Sequence, residues 1–298
     1  MRNTLPVLTV VMAIIVIWYA GAVWMNAQWT RDQAARAGQE VTFSDILRDT
    51  LAQDRPVLPA PHQVVVELWN STVVEELTSR RGIVQSGTLS NRSLIYHGWI
   101  TLSATLLGFA IGSGLGILLA VGIVHNRAMD LSVMPWAIAS QTIPILAIAP
   151  MIIVVLNSVG ISGLLPKAII SAYLSFFPVV VGMVKGLRAP DHMQLDLMKT
   201  YSASQPQVFW KLRLPSSMPY LFASLKVGIA ASLVGAIVGE LPTGAVAGLG
   251  ARLLAGSYYG QTVQIWAALI GAAVLAGLMV GAIGWLQRLT LRRMGMAR

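Results

Sequence analysis

The sequence predicts an all-α integral membrane protein with about six transmembrane helices, and three observations lead to that prediction. Of its 298 residues, 55% are hydrophobic and 11% are charged, with a mean hydropathy of +0.68; soluble domains carry roughly twice that charged share. Six apolar runs approach the roughly 20 residues that a helix needs to cross a bilayer. The 27 glycines and 14 prolines suit membrane helices, where neighbouring helices satisfy broken backbone hydrogen bonds.

The predicted spans follow one another with one long interruption after the first. They cover residues 7–25, 98–124, 133–156, 164–184, 219–239 and 263–287. The first run is also compatible with a signal peptide cleaved near residue 22. Arg2 precedes the run, and the small residues Ala20-Gly21-Ala22 follow Tyr19, as they would at a cleavage site. A retained anchor is favoured, since the apolar run continues to Met25 and tryptophans lie at its end.

The charges predict the orientation and the organisation of the chain. A cytoplasmic N-terminus places eleven lysines and arginines inside and two, Lys167 and Arg252, in the short outer loops. We then expect four parts: an N-terminal transmembrane helix over 1–27, an outer segment with an amphipathic surface helix (61–79) over 28–96, a core five-helix domain over 97–290 with a cytoplasmic loop at 188–218, and a basic cytoplasmic tail over 291–298.

The composition also excludes several kinds of site. The chain has no cysteine, which rules out disulfides, thiolate metal sites and cysteine nucleophiles. It shows neither a zinc-ligand pattern nor a glycine-rich phosphate loop ending in Gly-Lys-Ser or Gly-Lys-Thr. The sequence pI is near 10.3, but basic loops beside apolar spans report topology. We therefore expect no catalytic residues, no metal and no nucleic-acid partner.

Small residues recur every fourth position in three spans. Such rows allow helices to approach closely, so packing is favoured over a substrate path. The rows are Ala104, Gly108, Gly112, Gly116 and Ala120 in the second span, Gly228, Ser232 and Ala236 in the fifth, and Ala273, Gly277 and Gly281 in the sixth.

Three polar residues are candidates for a path through the membrane. Gln141 lies beside Pro144 in the proline-broken third span, and an interhelical hydrogen bond is its alternative role. Asn157 follows the same run. Glu240 continues the Gly228 face by one turn, so we expect it to point into the protein, with helix capping or pairing to Arg252 as alternatives. Residues 241–262 are predicted to be a loop.

The loop at 188–218 has the pattern of two short helices joined by small residues. Pro190-Asp191 and Gln205-Pro206 indicate helix starts, residues 201–204 a break, and Leu214-Pro215 a stop. A docking element between two spans and an ordinary interfacial hairpin both fit this pattern.

In this loop the sequence resembles the permease subunits of ATP-binding-cassette importers. Their signature reads Glu-Ala-Ala, three residues, Gly, nine residues, then Ile-x-Leu-Pro. Asp196-Leu197-Met198, Ser202 and Leu212-Arg213-Leu214-Pro215 stand at these positions with the spacing intact, while Asp for Glu and Ser for Gly depart from it.

Further pieces resemble the nitrate/taurine/sulfonate (NitT/TauT-like) branch of these permeases, over roughly residues 58–290. These pieces are Leu58-Pro59-Ala60-Pro61, Thr101-Leu102, Gly108-Phe109, Ile143-Pro144, Ala149-Pro150, Phe176-Phe177-Pro178, Gly186-Leu187, Gly239-Glu240 and Gly248-Leu249-Gly250.

The resemblance implies a type I importer permease fold in the bacterial inner membrane, with both termini cytoplasmic and 28–96 periplasmic. It implies two copies of a cytoplasmic ATPase that carry ATP and Mg²⁺, a second permease copy in a homodimer, and a periplasmic substrate-binding protein. No cofactor is expected in this chain, which would be a transport subunit and not an enzyme. The implied ATPase-coupling residues are Asp196, Thr200, Tyr201, Ser202, Ala203, Ser204, Gln205, Phe209 and Pro215.

The substrate classes in that branch are small organic acids, sulfonates or other oxyanions, and vitamin or pyrimidine-like precursors. The glycine- and tyrosine-rich residues 244–260 are similar to members associated with thiamine- or riboflavin-type precursors. The alternative function is an ion-coupled secondary transporter. Such carriers place carboxylates within their spans, whereas this chain has Glu240 at the edge of one.

Overall fold

The computed structural model describes residues 4–38, 40–74, 93–241 and 247–296, and every regular element in these ranges is helical. The α-helices, numbered in chain order, are α1 (Thr4–Ala37), α2 (Phe43–Ala52), α3 (Pro61–Trp69), α4 (Leu94–His125), α5 (Arg127–Ser140), α6 (Ile145–Ser158), α7 (Leu164–Leu187), α8 (His192–Thr200), α9 (Gln205–Val208), α10 (Leu214–Gly239), α11 (Leu249–Tyr258) and α12 (Thr262–Arg293). Two π-helical turns, Asn70–Val74 and Phe209–Arg213, follow α3 and α9.

Five of the predicted spans are confirmed as apolar helices long enough to cross a membrane. They are Leu5–Ala37, Leu94–His125, Leu164–Leu187, Gln205–Gly239 and Thr262–Arg293. Helix α1 continues well beyond the predicted end of the N-terminal span at residue 27.

The predicted third span over 133–156 is broken, as its prolines indicated, and its two halves make a sixth span if they are counted together. Helices α5 and α6 are separate and meet at an angle of 98°. The chain breaks before Pro144, which caps α6, because proline lacks an N–H and its ring disfavours helical geometry in the preceding residue. Pro135 and Pro150 lie inside their helices without ending them.

The chain divides into two compact units. The first comprises the described residues up to His97 together with Ala251–Ala272. In it, the buried Asn26 amide of α1 donates to the Leu58 carbonyl at 2.8 Å and accepts from the Val57 N–H at 2.7 Å. These two bonds hold the segment between α2 and α3 against α1. Trp18 also stacks at a tilt on Trp266, with 4.9 Å between the ring centroids.

Two helices of the first unit differ from the sequence analysis. Helix α2 was not predicted. It begins at a capping box in which the Thr42 N–H donates to the Asp45 carboxylate at 3.1 Å. The amphipathic helix predicted over 61–79 begins at Pro61 as expected and leaves α-geometry after Trp69. Residues 75–79 lie outside the described part of the chain.

The second unit comprises Gly98–Gly250 and the residues from Ala273 onward. Its helices α4, α7 and α10 pack through small residues. A Cβ at Gly108 would lie 2.3 Å from the Ser171 Cβ, and one at Gly182 would lie 2.3 Å from the Ser224 Cβ. These contacts confirm packing as the role of the row in the second span.

The other two rows behave differently from each other. Ser232 is fully buried and its hydroxyl donates to the Thr105 carbonyl at 2.8 Å, so the row in the fifth span also packs. In the sixth span, no described atom lies within 4 Å of a Cβ placed at Gly277 or Gly281. The packing expected there is therefore not made within the described part of this chain.

The segment predicted as a loop over 241–262 contains α11, a helix of ten residues. It is too short to cross a bilayer, so the prediction that no span occurs here holds, and the prediction of irregular structure is wrong over Leu249–Tyr258.

Candidate functional site

The segment between α7 and α10, residues 191–213, forms an exposed element that we call the docking element. Asp191 caps α8, and its carboxylate accepts the Gln194 N–H at 2.7 Å. At the second start the Ser204 N–H donates to Gln207 Oε1 at 2.8 Å, and Pro206 lies in the first turn of α9. Both helix starts predicted from the sequence are confirmed.

The stop predicted at Pro215 is wrong, because Gln205–Gly239 is one continuous helix of 35 residues. The π-helical turn just before Pro215 accounts for this continuity. Within it the Leu214 N–H donates to the Phe209 carbonyl, five residues back. The wider turn makes room for the proline ring, so α10 continues through a residue that would otherwise end a helix. We call residues 205–239 the lever helix.

Helix α8 carries an apolar row that no described residue of the chain covers. Met193, Leu197 and Tyr201 follow at intervals of four and are 81%, 55% and 75% exposed. None of the residues of α8 is buried. Trp210, at the start of the lever helix, is 66% exposed. Because contiguous apolar surface marks interaction sites, this row is a candidate contact surface.

The sequence analysis identified part of this surface. It named Tyr201 and quoted Leu197 within the motif, and it missed Met193 and Trp210. The signal for Met193 was its place in the same four-residue row. Trp210 had no such signal, because a π-helical turn shifts the register in which sequence spacing predicts a shared face.

Phe209 lies differently from the other predicted coupling residues. It is half-buried and packs on the core cluster that includes Ile123, Met183 and Leu187. Its ring meets His125 edge-on, with 5.3 Å between the centroids. In this structure Phe209 therefore anchors the docking element to the helix bundle, and the neighbouring Trp210 is the residue that faces outward.

The remaining predicted coupling residues lie on or beside α8 and the break. Asp196 pairs with Lys199 at 2.9 Å, and the hydrogen bond and positive charge of Lys199 lower the pKa of that carboxyl from its ordinary value. The Thr200 hydroxyl donates to the Asp196 carbonyl at 3.0 Å. The residues Ser204 and Gln205 are exposed, and Ala203 and Pro215 are half-buried.

Further contacts fix the base of the docking element. Arg188, which follows α7, pairs with Asp130 at 2.8 Å. The Arg213 guanidinium donates to the Leu187 carbonyl at 3.4 Å. Arg213 and Phe209 thus connect the element to α4 and α7, and the Arg188–Asp130 pair connects the end of α7 to α5, so a push on the element reaches the bundle.

Ser202 has a φ of +51°, and it is the one non-glycine residue with a positive φ in the described part of the chain. It stands where the importer signature has Gly. A left-handed conformation costs an L-residue roughly 1–2 kcal/mol, a cost that glycine avoids. The departure from the signature thus keeps the turn and adds strain to it.

Ser202→Gly is expected to remove this strain and to stabilise the folded chain by about 1 kcal/mol. The melting temperature of the purified protein then rises by about 2–4 °C. Ser202→Ala is the matched control, because it removes the hydroxyl and keeps the Cβ responsible for the strain. Equal melting temperatures for the Gly and Ala variants would contradict this origin.

A second site lies at the other end of the lever helix. Glu240 follows α10 directly and its side chain is fully buried, as the sequence analysis expected. Its carboxylate accepts the Thr101 hydroxyl at 2.8 Å and the Gly250 N–H at 3.0 Å. The Lys167 ammonium lies 3.7 Å away, so the partner identified in the structure is a lysine of α7.

The same residues also contact one another. The Thr101 hydroxyl oxygen accepts the Leu249 N–H at 2.9 Å, and Lys167 donates to the Ala247 carbonyl at 3.0 Å. Gly248 has a φ of +130°, and a Cβ there would lie 2.1 Å from the Glu240 Cδ. We call Thr101, Lys167, Glu240 and residues 248–250 the Glu240 cluster.

Gln141 and Asn157 do not join this cluster. Gln141 follows α5 at the bend before α6, is half-buried, and donates to the Ser140 hydroxyl at 3.3 Å. Asn157 is exposed in the last turn of α6. The path roles of Gln141, Asn157 and Glu240 stay predictions, and Glu240 has no exposed surface in this structure.

Comparisons with known proteins agree with this arrangement. Residues 112–296 match the family model described as the binding-protein-dependent transport system inner membrane component. The match includes the docking element, the lever helix and Glu240.

The individual relatives are named as transport permease proteins. The chain is 31% identical to the formylaminopyrimidine transport permease protein ThiX of Halalkalibacterium halodurans, over 56% of this chain and 65% of that protein. It is 28% identical to the riboflavin transport system permease protein RibX of Chloroflexus aurantiacus, over 79% and 80%. It is 22% identical to the bicarbonate transport system permease protein CmpB of Synechococcus elongatus, over 68% and 72%.

The family match covers most of the chain, and the relatives are themselves named as transport permeases. The chain therefore belongs to the binding-protein-dependent transport system inner membrane components, as a multi-pass permease of the NitT/TauT-like branch of ATP-binding-cassette importers.

Proposed function

We propose that the chain is the transmembrane subunit of an importer that is driven by a separate cytoplasmic ATPase and supplied by a periplasmic binding protein. The observation that carries this proposal is the exposed apolar row of α8, formed by Met193, Leu197 and Tyr201, next to the start of the lever helix. A row of exposed apolar side chains on one face of a short helix is typical of a protein contact surface. A continuous helix leading away from it gives that partner a way to move the spans.

The proposed mechanism follows from these connections. ATP and Mg²⁺ bind on the partner ATPase and supply the energy by driving closure of the ATPase pair. The docking element passes this movement to the helix bundle, because Phe209 packs on the core cluster and Arg213 donates to the Leu187 carbonyl of α7. The lever helix tilts with it, and a cavity between the spans opens alternately to each side of the membrane.

A second permease copy completes the proposed importer. The small-residue row of α12, with Gly277 and Gly281, has open space beside it within the described part of the chain. A face of small residues lets another membrane helix approach closely. We place this complex in the bacterial inner membrane with both termini cytoplasmic, the orientation that the eleven inner lysines and arginines favour.

For the substrate, we propose a small heterocyclic vitamin precursor rather than a simple oxyanion. Relatives named for formylaminopyrimidine and riboflavin transport are 31% and 28% identical to the chain. The relatives named for bicarbonate and nitrate are 22–25% identical. Titration of the associated binding protein with each class of solute would check this assignment.

Leu197→Asp is expected to lower the amount of ATPase that co-purifies with the chain at least tenfold. The substitution puts a carboxylate in the middle of the apolar row, and removing that charge from water costs more than the roughly 1.4 kcal/mol that a factor of ten requires. The measurement is the ratio of the two proteins, and their ATP hydrolysis, after co-expression of the tagged chain with its genomic neighbours.

Leu197→Met is the matched control, because it keeps an apolar side chain of similar volume and should recover ATPase as wild type does. Equal recovery with Asp and Met would show that α8 is not the contact surface. If wild type itself recovers no ATPase and solute flux follows an ion gradient, the importer proposal is wrong and the ion-coupled alternative replaces it.

A further inference from the structure

The lever helix joins the two sites. The docking element leads into it at Gln205, and Glu240 follows its last residue, Gly239. At 1.5 Å per residue, its 35 residues span about 52 Å. A tilt of this helix about a point between its ends therefore displaces Glu240 at the opposite end.

Glu240 connects the end of the lever helix to three other parts of the second unit. It accepts the Thr101 hydroxyl of α4, lies 3.7 Å from Lys167 of α7, and accepts the Gly250 N–H at the start of α11. Thr101 in turn accepts the N–H of Leu249. One buried carboxylate thus connects α4, α7, α10 and the turn at 248–250.

The chemistry of this connection differs from ordinary helix packing. A buried carboxylate is tolerated only when it is paired and hydrogen-bonded, and removing one partner leaves a charge or a polar group buried without compensation. Apolar contacts have no preferred direction, whereas these hydrogen bonds are directional. The partners of Glu240 must therefore move with the lever helix, or the bonds must break together.

We propose that Glu240 is a positioning residue that transmits movement of the lever helix to α4, α7 and the turn at 248–250. The proposal rests on the importer function proposed above and assigns a role to the cluster at the end opposite the ATPase. Loss of the cluster is then expected to uncouple α4, α7 and the turn at 248–250 from the lever helix. The docking element still responds to ATP, and the opposite ends of α4 and α7 do not follow.

Spin-label distances in the complete complex with its ATPase test this proposal. The natural chain has no cysteine, so introduced cysteines are labelled without background. Trp99→Cys and Leu165→Cys, at positions 65% and 40% exposed, report on α4 and α7 near the Glu240 cluster. Leu131→Cys and Tyr220→Cys, at positions 69% and 38% exposed, report on the half of the second unit nearer the docking element.

Two variants break the cluster in different ways. Glu240→Gln removes the charge at nearly constant shape, and Thr101→Val removes the hydroxyl that both donates to Glu240 and accepts from Leu249. Thr101→Ser keeps that hydroxyl. Ser232→Ala is the control for packing alone, because Ser232 is equally buried and bonds the same two helices through the Thr105 carbonyl.

The two distances measured are the one between labels at positions 99 and 165, near the cluster, and the one between labels at positions 131 and 220, nearer the docking element. In wild type, ATP with Mg²⁺ and vanadate is expected to change both of them. Glu240→Gln and Thr101→Val should keep the change near the docking element and lose at least half of the change near the cluster. Thr101→Ser and Ser232→Ala should keep both changes.

The proposal is overturned if the change near the cluster persists in Glu240→Gln, or if Ser232→Ala loses as much of it as Thr101→Val. Failure of the importer function looks different, since the wild-type chain then binds no ATPase and neither distance responds to ATP, which overturns both proposals.

Discussion

Gly108→Ala is expected to destabilise the folded chain by about 3 kcal/mol, because α4 and α7 lie too close for even one methyl group. A Cβ at this position would lie 2.3 Å from the Ser171 Cβ and 2.6 Å from the Ala168 carbonyl oxygen. Both atoms belong to or adjoin the α7 backbone, so no side-chain rotation relieves the overlap. The helices must separate, and the small-residue contacts along the whole interface weaken.

Gly114→Ala is the matched control in the same helix. No described atom lies within 4 Å of a Cβ at Gly114, and alanine favours a helix over glycine by up to roughly 1 kcal/mol. The melting temperature, read from the monodisperse fraction after heating in detergent, should fall by about 6–12 °C for Gly108→Ala. It should stay level or rise for Gly114→Ala. Equal melting temperatures would show that the close approach contributes nothing.

This pair of glycines illustrates what the sequence predicts about the fold. The four-residue spacing identified the face of α4 that contains Gly108 and leaves Gly114 outside it. It did not identify α7 as the partner, because spacing within one helix carries no information about another. For the same reason the row at Gly277 and Gly281 was expected to pack and meets open space within the described part of the chain.

Prolines were predicted correctly where local geometry decides and wrongly where a neighbouring turn adapts. Pro144 ends regular structure between α5 and α6, as the loss of an N–H and the constraint on the preceding residue require. Pro215 ends nothing, since the π-helical turn at Phe209–Arg213 accommodates it. No residue pattern in the sequence analysis signalled that turn, and it also changed which aromatic residue faces outward.

The candidate sites divide in the same way. The starts of α8 and α9 in the docking element could be predicted from the sequence, because helix caps act within three or four residues. The burial of Glu240 was visible from its helical face. Its partners Thr101 and Lys167 were not, since they come from other helices. The sequence analysis considered Arg252 as the partner because it is the nearer cation along the chain, and a sequence does not show which residues of other helices lie close in space.

Gly248→Ala is expected to have the other large effect, and two separate costs add in it. The φ of +130° is a conformation that L-residues rarely adopt, at a cost of roughly 1–3 kcal/mol. The added Cβ would also lie 2.1 Å from Cδ and 2.3 Å from Oε2 of Glu240. Because the carboxylate is held by Thr101 and Gly250, its retreat would break buried hydrogen bonds. We expect a loss of about 4 kcal/mol in all.

Two further glycines separate these costs. Gly160 has a φ of +80°, and no described atom lies within 4 Å of a Cβ added there. Gly160→Ala should therefore be destabilised only by backbone strain, by about 1–2 kcal/mol. Gly114→Ala introduces neither backbone strain nor a steric overlap. The melting temperature should therefore fall in the order Gly114, Gly160, Gly248. If Gly248→Ala melts no lower than Gly160→Ala, the Glu240 carboxylate yields without loss, and the turn at 248–250 does not depend on its close approach to Glu240.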